Sequence, residues 1–315
     1  MAPTILVIGA TGNTGQSVVE TLPKLLGSTS LSAFKVLALT RDSSTPKAQQ
    51  LARHPVVQLV EKNWTEVTED WLREHEVIRV FIASHTQPDQ FAAEGQFLVN
   101  ALRAAVKYVV RISTTAANVH PACPAYHART HWEIEAMLDQ SEFSSMHFSS
   151  LRPNAFTTMF LAGAVNFAKD VVKSGKQDGP LRLLLDRDTA IALIDPSEVG
   201  IFAAHLLAQE ETAQHAGKRY VLNGPEDITG AQVVRMVESY TGQPVNDVRF
   251  RDESVFDDFT ANSPWSRNLM QSIKNALRPA WDAQAVVQKT SQEVLDLHAP
   301  KRSATEAFEE MLAEH

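Results

Sequence analysis

Seven residues near the start, Gly9-Ala-Thr-Gly12-Asn-Thr-Gly15, constrain this chain more than any other stretch. They follow a β-branched apolar run, Thr4–Gly9, and precede a segment placing Val18, Val19, Leu22, Leu25 and Leu26 on one helical side. Pro23 predicts a kink in that helix or a shortened regular part. Between strand and helix, glycines allow a tight turn and close backbone approach, and the helix start offers unpaired N–H groups to an anion. A bare G-x-x-G-x-x-G triplet says little, and its alternative reading is a merely structural turn. The strand–turn–helix context points instead to dinucleotide binding, with Gly9, Gly12 and Gly15 bringing the backbone close to the pyrophosphate.

The rest of the first half repeats that alternation. Candidate strands are Lys35–Thr40, Val56–Glu61, Val77–Ala83, Tyr108–Ser113 and Met146–Leu151, several of them continuous apolar runs, as expected of a parallel sheet covered on both faces. Leu98, Ala101, Leu102 and Ala105 mark a helix between two of them. After Pro153 the rhythm loosens into a helix around Phe160–Lys173, a turn-rich Ser174–Pro180 and a strand near Leu181–Leu185. Helix starts are written at Asp195-Pro-Ser-Glu198, Thr229-Gly-Ala-Gln232, Thr290-Ser-Gln-Glu293 and Ser303-Ala-Thr-Glu306, and Gly242 with Pro244 marks a stop. The predicted architecture is α/β: a Rossmann-type doubly wound parallel sheet with a smaller C-terminal substrate-side lobe. Residues 1–155 and 180–224 form the core; 156–179 and 225–315 form the interleaved lobe.

Charge and cysteine content limit the partners. With 29 Lys+Arg against 37 Asp+Glu, the net charge of −8 argues against nucleic acid or an anionic membrane. One cysteine, Cys123, in Pro121-Ala-Cys-Pro124, forbids an internal disulfide, fits a reducing compartment and reads as a loop thiol. The start, Met1-Ala-Pro-Thr-Ile-Leu-Val-Ile, shows no basic segment of a secretory signal, and no apolar run approaches membrane-spanning length, so a cytoplasmic location is expected.

The choice of dinucleotide is read after the second strand, which ends Ala38-Leu-Thr-Arg41-Asp42. An arginine there pairs with a 2′-phosphate, whereas an acid accepts from the ribose hydroxyls. Arg41 predicts NADP(H). One register shift would put Asp42 at the ribose instead, and a solvated Arg–Asp pair is the remaining alternative.

Beyond the glycine turn, the chain resembles the NmrA-like family, the atypical short-chain dehydrogenase/reductases that include isoflavone-reductase-type and NADPH quinone-reductase-type enzymes. The resemblance runs over essentially the whole chain. It rests on Glu94–Ser113, His131-Trp-Glu-Ile-Glu135, Leu151-Arg-Pro-Asn-Ala-Phe156, Asp195-Pro-Ser-Glu-Val-Gly200, Tyr220-Val-Leu-Asn-Gly-Pro-Glu226 and Ser303–Met311. It implies a seven-stranded Rossmann core with a cleft over the nicotinamide. By position, Thr11, Asn13 and Thr14 would lie beside the pyrophosphate, Ala83, Ser84 and His85 would flank the adenosine side, and Ser113, Thr114 and Thr115 the nicotinamide ribose. Pro153, Asn154 and Phe156 would line the nicotinamide pocket.

Many short-chain dehydrogenases use a Tyr-x-x-x-Lys dyad, and this chain departs from it. Alignment on Glu135 and Ser141 puts His127 at the tyrosine position and His131 at the lysine position; Tyr126 is one residue out of register. His127 and His131 share a helix face with Ile134 and Leu138, which aims both at the sheet and the cleft. They are the candidate catalytic residues, able to donate a proton or hold the ribose, and equally readable as hydrogen-bonded core histidines. With Glu135 they also stand at i, i+4, i+8, a metal-like series that drifts round a straight helix, and no metal is expected. Phe156, Met159, Phe160 and Trp265 are candidates to cover a pocket for a small hydrophobic molecule; they equally suit an interdomain core. Three functions follow. The leading one is an NADPH-dependent reductase of a small carbonyl, enone or quinone. The others are a non-catalytic NADP(H) sensor with a protein partner, and a non-redox isomerase or cyclase.

Overall fold

A computed structural model describes residues 2–261 and 263–313; Met1, Asn262, Glu314 and His315, the last three within the predicted lobe, lie outside the described residues. Nine strands occur in it: β1 (Thr4–Ile8), β2 (Lys35–Thr40), β3 (Val57–Glu61), β4 (Val77–Ile82), β5 (Tyr108–Ile112), β6 (His147–Pro153), β7 (Leu181–Arg182), β8 (Lys218–Leu222) and β9 (Val248–Arg249). Seven of them form one sheet in the order β3-β2-β1-β4-β5-β6-β8, every pairing parallel. Because all strands run one way, the loops that follow them gather at a single edge. Strand order departs in opposite directions from β1, which opens a crevice beside its carboxyl end.

The pleat explains how the two faces are covered. Successive residues of β1 point to opposite sides. Ile5 and Val7 pack with Val18, Val19 and Leu22 of the first helix and with Val199, Phe202 and Leu206 of the Pro196–Leu207 helix. Leu6 and Ile8 pack with Phe97 and Leu98 on the opposite face, together with Ile134 and Leu138. A Cβ on Gly200 would stand 2.1 Å from the Thr14 carbonyl oxygen, so only glycine lets the Pro196–Leu207 helix lie this close to the first helix. The C-terminal end of that helix is held by buried Arg79 of β4, which donates to the carbonyls of Leu207 and Gln209, both at 2.6 Å.

Pro23 does not end its helix, which runs from Gly15 to Leu26. It removes one amide donor, and the helix closes a turn later. The apolar run at Leu181–Leu185 contributes two residues to β7, which pairs with β9 and not with the large sheet. Leu183, Leu184 and Leu185 instead enter a separate core with Phe160, Leu161, Val165, Ile191, Leu193, Val233, Val237 and Phe308.

The helix starts differ in detail from their written form. Thr229 and Gln232 make a complete reciprocal cap, and Gly242 closes that helix at φ 70°. Ser303 and Glu306 exchange bonds of 2.8 and 3.1 Å in the same way. Asp195 caps Ser197, but Glu198 turns away and accepts from the backbone N–H groups of Lys301 and Arg302 at 3.0 and 2.9 Å. At Thr290 the expectation is off by one residue: Ser291 is the cap position, and the Thr290 hydroxyl donates to Val287.

Candidate functional site

The glycine turn lies at the crevice beside β1. Gly9 has φ +78°, its carbonyl accepts from Gly12 N at 2.9 Å, and a Cβ on Gly15 would sit 2.1 Å from that carbonyl oxygen. Thr14 starts the first helix without a side-chain cap, so first-turn N–H groups keep no partner from a capping side chain. Gly12 and Asn13 are exposed, Thr11 is half-buried, and Thr14 and Gly15 are buried. An anionic diphosphate fits these residues: the backbone supplies donors, and the absence of side chains at Gly9, Gly12 and Gly15 lets the turn close tightly onto the first helix.

β2 ends at Thr40, which makes Arg41 the first residue past the strand, exposed and without an ion pair among the described residues. Its acidic neighbour is engaged locally. The Ser44 hydroxyl and amide donate to Asp42 Oδ1 at 2.6 and 2.8 Å and hold its carboxyl below the usual range. Glu61 is likewise taken up by the Ser43 amide and hydroxyl, at 3.0 and 2.7 Å. Of the charged groups at this strand end, Arg41 remains free to meet a phosphate.

Farther along the edge, several expected cofactor residues turn their side chains inward. The Ser84 hydroxyl donates to Glu94 at 2.6 Å, and the Ser113 hydroxyl donates to Glu135 at 2.8 Å. Ala83 donates its amide to the Ile8 carbonyl at 3.3 Å, directly beside the glycine turn. His85 lies 3.2 Å from Asp89, with its ring 5.6 Å from that of Trp64. Thr114 is half-buried, and the Thr115 hydroxyl lies 3.4 Å from the Pro153 carbonyl. Asn154 uses its side-chain amide to bind the carbonyls of Ala192 and Ala285, at 2.6 and 2.8 Å, and Phe156 bridges to Ile194. Asn154 and Phe156 therefore tie the carboxyl end of β6 to the 191–194 and 285 segments.

The Tyr126–Leu138 helix carries both histidines against the sheet, with Ile134 and Leu138 on the same face as expected. His131 is buried, and its Nδ1 accepts from Arg111 Nη2 at 2.9 Å. Burial, then the Arg111 charge, then His127 push its pKa well below 6.5. His127 is 8% exposed, its Nδ1 is buried without a partner among the described residues, and burial lowers its pKa to about 4. Both rings are thus neutral near pH 7. Tyr126 points elsewhere: its hydroxyl donates to the Thr86 carbonyl at 3.1 Å, and burial raises its pKa.

Beneath the histidines lies an ionic cluster that the sequence reading did not identify. Arg111, with no exposed surface, donates from Nε to Glu94 at 2.6 Å. Glu135 accepts from Ser113, from Arg152 and from Arg219, the last at 3.0 Å, and Arg111 lies 3.8 Å away. Burial alone would raise the Glu135 pKa; Arg152, Arg111 and Ser113 bring it below the ordinary value. Both Glu135 oxygens are committed to these donors, so the third position of the His127–His131–Glu135 series is a structural anchor. A signal for the cluster exists in the sequence. Arg111 and Arg152 interrupt strands otherwise apolar or small, and a charge inside such a strand requires a partner.

The expected pocket cover divides. Phe160, 3% exposed, packs within the separate C-terminal core. Met159 and Trp265 are exposed, and the Trp265 indole donates to Gln87 at 3.1 Å, beside the loop that follows β4. Cys123 lies in the loop before the Tyr126–Leu138 helix, as expected, and is buried there against Ala125 and Ala128. A cavity of about 520 Å³ opens where the ends of β5, β6 and β8 meet residues 283–289, lined by Thr115, Arg152, Asn154, Asn223, Gln284 and Lys289 among others. It brings together two of the expected nicotinamide-side residues, Thr115 and Asn154. No described helix is long and apolar enough to cross a membrane.

Comparison with known proteins places these features in context. The model of the NmrA-like family matches residues 1–306. An NAD(P)H azoreductase of Xenophilus azovorans is 26% identical over 249 residues, 76% of this chain and 75% of the relative. An NADPH-dependent quinone oxidoreductase of Escherichia coli, solved with NADPH, superposes with a TM-score of 0.69 at 20% identity, over 98% of this chain and 99% of its own. A triphenylmethane reductase of Citrobacter sp., solved with NADP(H), gives 0.67 at 18% identity, over 98% of this chain and all of its own.

Proposed function

The chain belongs to the NmrA-like family, and from that premise we propose that it is an NADP(H)-dependent reductase passing a hydride to a small hydrophobic carbonyl, enone or quinone. One observation carries the reading: the uncapped glycine turn lies in the crevice beside β1, while Arg41 stands free past β2 with its acidic neighbour engaged. The azo, quinone and dye reductases among the relatives support the reaction class.

When bound, the dinucleotide supplies the hydride. The chain's own residues do the remaining work. The first-turn N–H groups and Arg41 bind its phosphates. His131, its Nδ1 occupied by Arg111, keeps its proton on Nε2 and acts as a neutral hydrogen-bond donor. Neutral His127 polarises the reducible group in the same manner, as a donor that does not surrender its proton. Water then protonates the reduced oxygen, so turnover needs no charged histidine. In assays of NADPH oxidation against a panel of quinones and enones, at least one is consumed, and kcat shows no histidine-type inflection between pH 6 and 8. A panel left wholly unreduced by cofactor-loaded protein refutes the proposal for those classes.

A second reading draws on the absent Tyr–Lys dyad and on Tyr126 being tied to Thr86. A redox sensor would bind NADP(H) without turnover and would hold a protein partner differently in the oxidised and reduced forms. Pull-downs with each form separate the two readings: equal partner recovery counts against a sensor.

A further inference from the structure

We propose that the cavity at the ends of β5, β6 and β8 is an anion-selective substrate subsite, fitted to a planar aromatic bearing a carboxylate or sulfonate. The inference rests on the reductase reading for the word substrate, and on the cavity alone for the ligand's chemistry.

Its position comes first. Thr115 follows β5, Arg152 and Asn154 close β6, and Asn223 follows β8, so the cavity opens at the edge where the glycine turn also lies. A ligand there would rest between the sheet edge and residues 283–289. About 520 Å³ lies within the range of small-molecule sites, ~300–1,000 Å³.

The chemistry of the wall is asymmetric. Ala116, Ala117, Val221 and Ala285 present small apolar surfaces, which suit a flat ring. The charged groups on the wall are both cations, Arg152 and Lys289, and no carboxylate lines it. Arg152 donates to Glu135 from Nε and Nη2, which anchors the guanidinium and leaves Nη1 without a partner among the described residues. Lys289 makes no ion pair or side-chain hydrogen bond among the described residues, and neither does the side chain of Gln284. The nearest buried acid, Glu135, lies behind Arg152 and is shared with Ser113 and Arg219. Arg152 and Lys289 beside an apolar floor favour an anion: a carboxylate or sulfonate meets both cations, whereas a cationic ligand would be repelled by them.

Binding of naphthalene-2-sulfonate and of neutral 2-naphthol, followed by calorimetry with and without saturating NADP⁺, tests the proposal. The sulfonate is expected to bind more tightly than the naphthol. In Lys289→Gln the ratio of the two affinities falls about fivefold, as for loss of one partly exposed ion pair. In Lys289→Glu it falls further, and 2-naphthyltrimethylammonium gains affinity. Lys289 is exposed, so both variants should fold; if Lys289→Glu fails to fold, Lys289→Gln alone decides. An unchanged ratio overturns the proposal. Displacement of the sulfonate by NADP⁺ also overturns it, because the cavity would then belong to the dinucleotide. Absence of turnover with any quinone or enone, alongside Lys289-dependent sulfonate binding, refutes the reductase reading and leaves the anion site standing.

Discussion

The two ends of the sheet's carboxyl edge are built on opposite principles. At the glycine turn the first helix begins without a side-chain cap and Arg41 has no partner. At the histidine helix nearly every polar atom is committed: Arg111 to Glu94 and His131, and Glu135 to Ser113, Arg152 and Arg219. One end holds donors ready for an anionic ligand. The other has committed most of its donors to a framework that holds the uncharged His131 ring. On the proposed function, affinity for the dinucleotide and rigidity around the two histidines come from different parts of the molecule.

That separation can be broken from either side. Glu135→Ala should have the largest effect, because three guanidinium groups would lose their shared buried carboxylate. Removing one partner of a buried ion pair costs about 3–5 kcal/mol. Urea denaturation should show the loss, whereas Arg41→Ala should leave the midpoint unchanged.

The pH response comes next. His127 has a folded pKa of about 4 against 6.5, so the unfolded chain binds its proton first as pH falls. Stability is therefore full above pH 6.5, declines from there to about pH 4 and then levels off, an effect of roughly 3 kcal/mol. His131 acts in the same direction. In His127→Phe the difference in unfolding free energy between pH 8 and pH 5 should shrink, and an unchanged difference would show that this ring is not a buried neutral group.

Arg41→Ala should weaken NADPH roughly tenfold while NADH changes little, as expected for a lost charge-assisted contact to one phosphate. Equal losses for both dinucleotides would place the arginine away from the 2′-phosphate. The smallest effect belongs to Met159→Ala, which truncates an exposed side chain and should shift stability by less than ~0.5 kcal/mol. If it raises KM for a hydrophobic substrate, Met159 covers the pocket.

The histidine end was also much the harder of the two to read from sequence. The glycine turn is local: seven consecutive residues carry its geometry, and the flanking strand and helix are visible in their periodicity. The Thr229 and Ser303 caps are local for the same reason. Arg111 shows only that it needs a partner. Which partner depends on Glu94, 17 residues earlier, and on His131, 20 residues later, hence on how two helices lie across the sheet. The leucine-rich run after Pro180 has a related ambiguity. Its pattern demands burial but cannot name the core, and all four of its leucines join the C-terminal core instead of the large sheet. Ser84 and Ser113, assigned to the cofactor edge by resemblance, turn their hydroxyls inward to Glu94 and Glu135.

The Gly200 contact has a consequence for how the chain is made. Val18, Val19 and Leu22 are packed in the same core as Val199, Phe202 and Leu206, which emerge from the ribosome far later. At about 5–20 residues per second, the first helix waits on the order of 10–40 s for its cover. During that interval the nascent α/β half carries an apolar helix face and the open side of β6, which β8 will later pair. Fragments truncated before residue 196 should accordingly be captured by holding chaperones, whereas the chain extended past β8 should release itself.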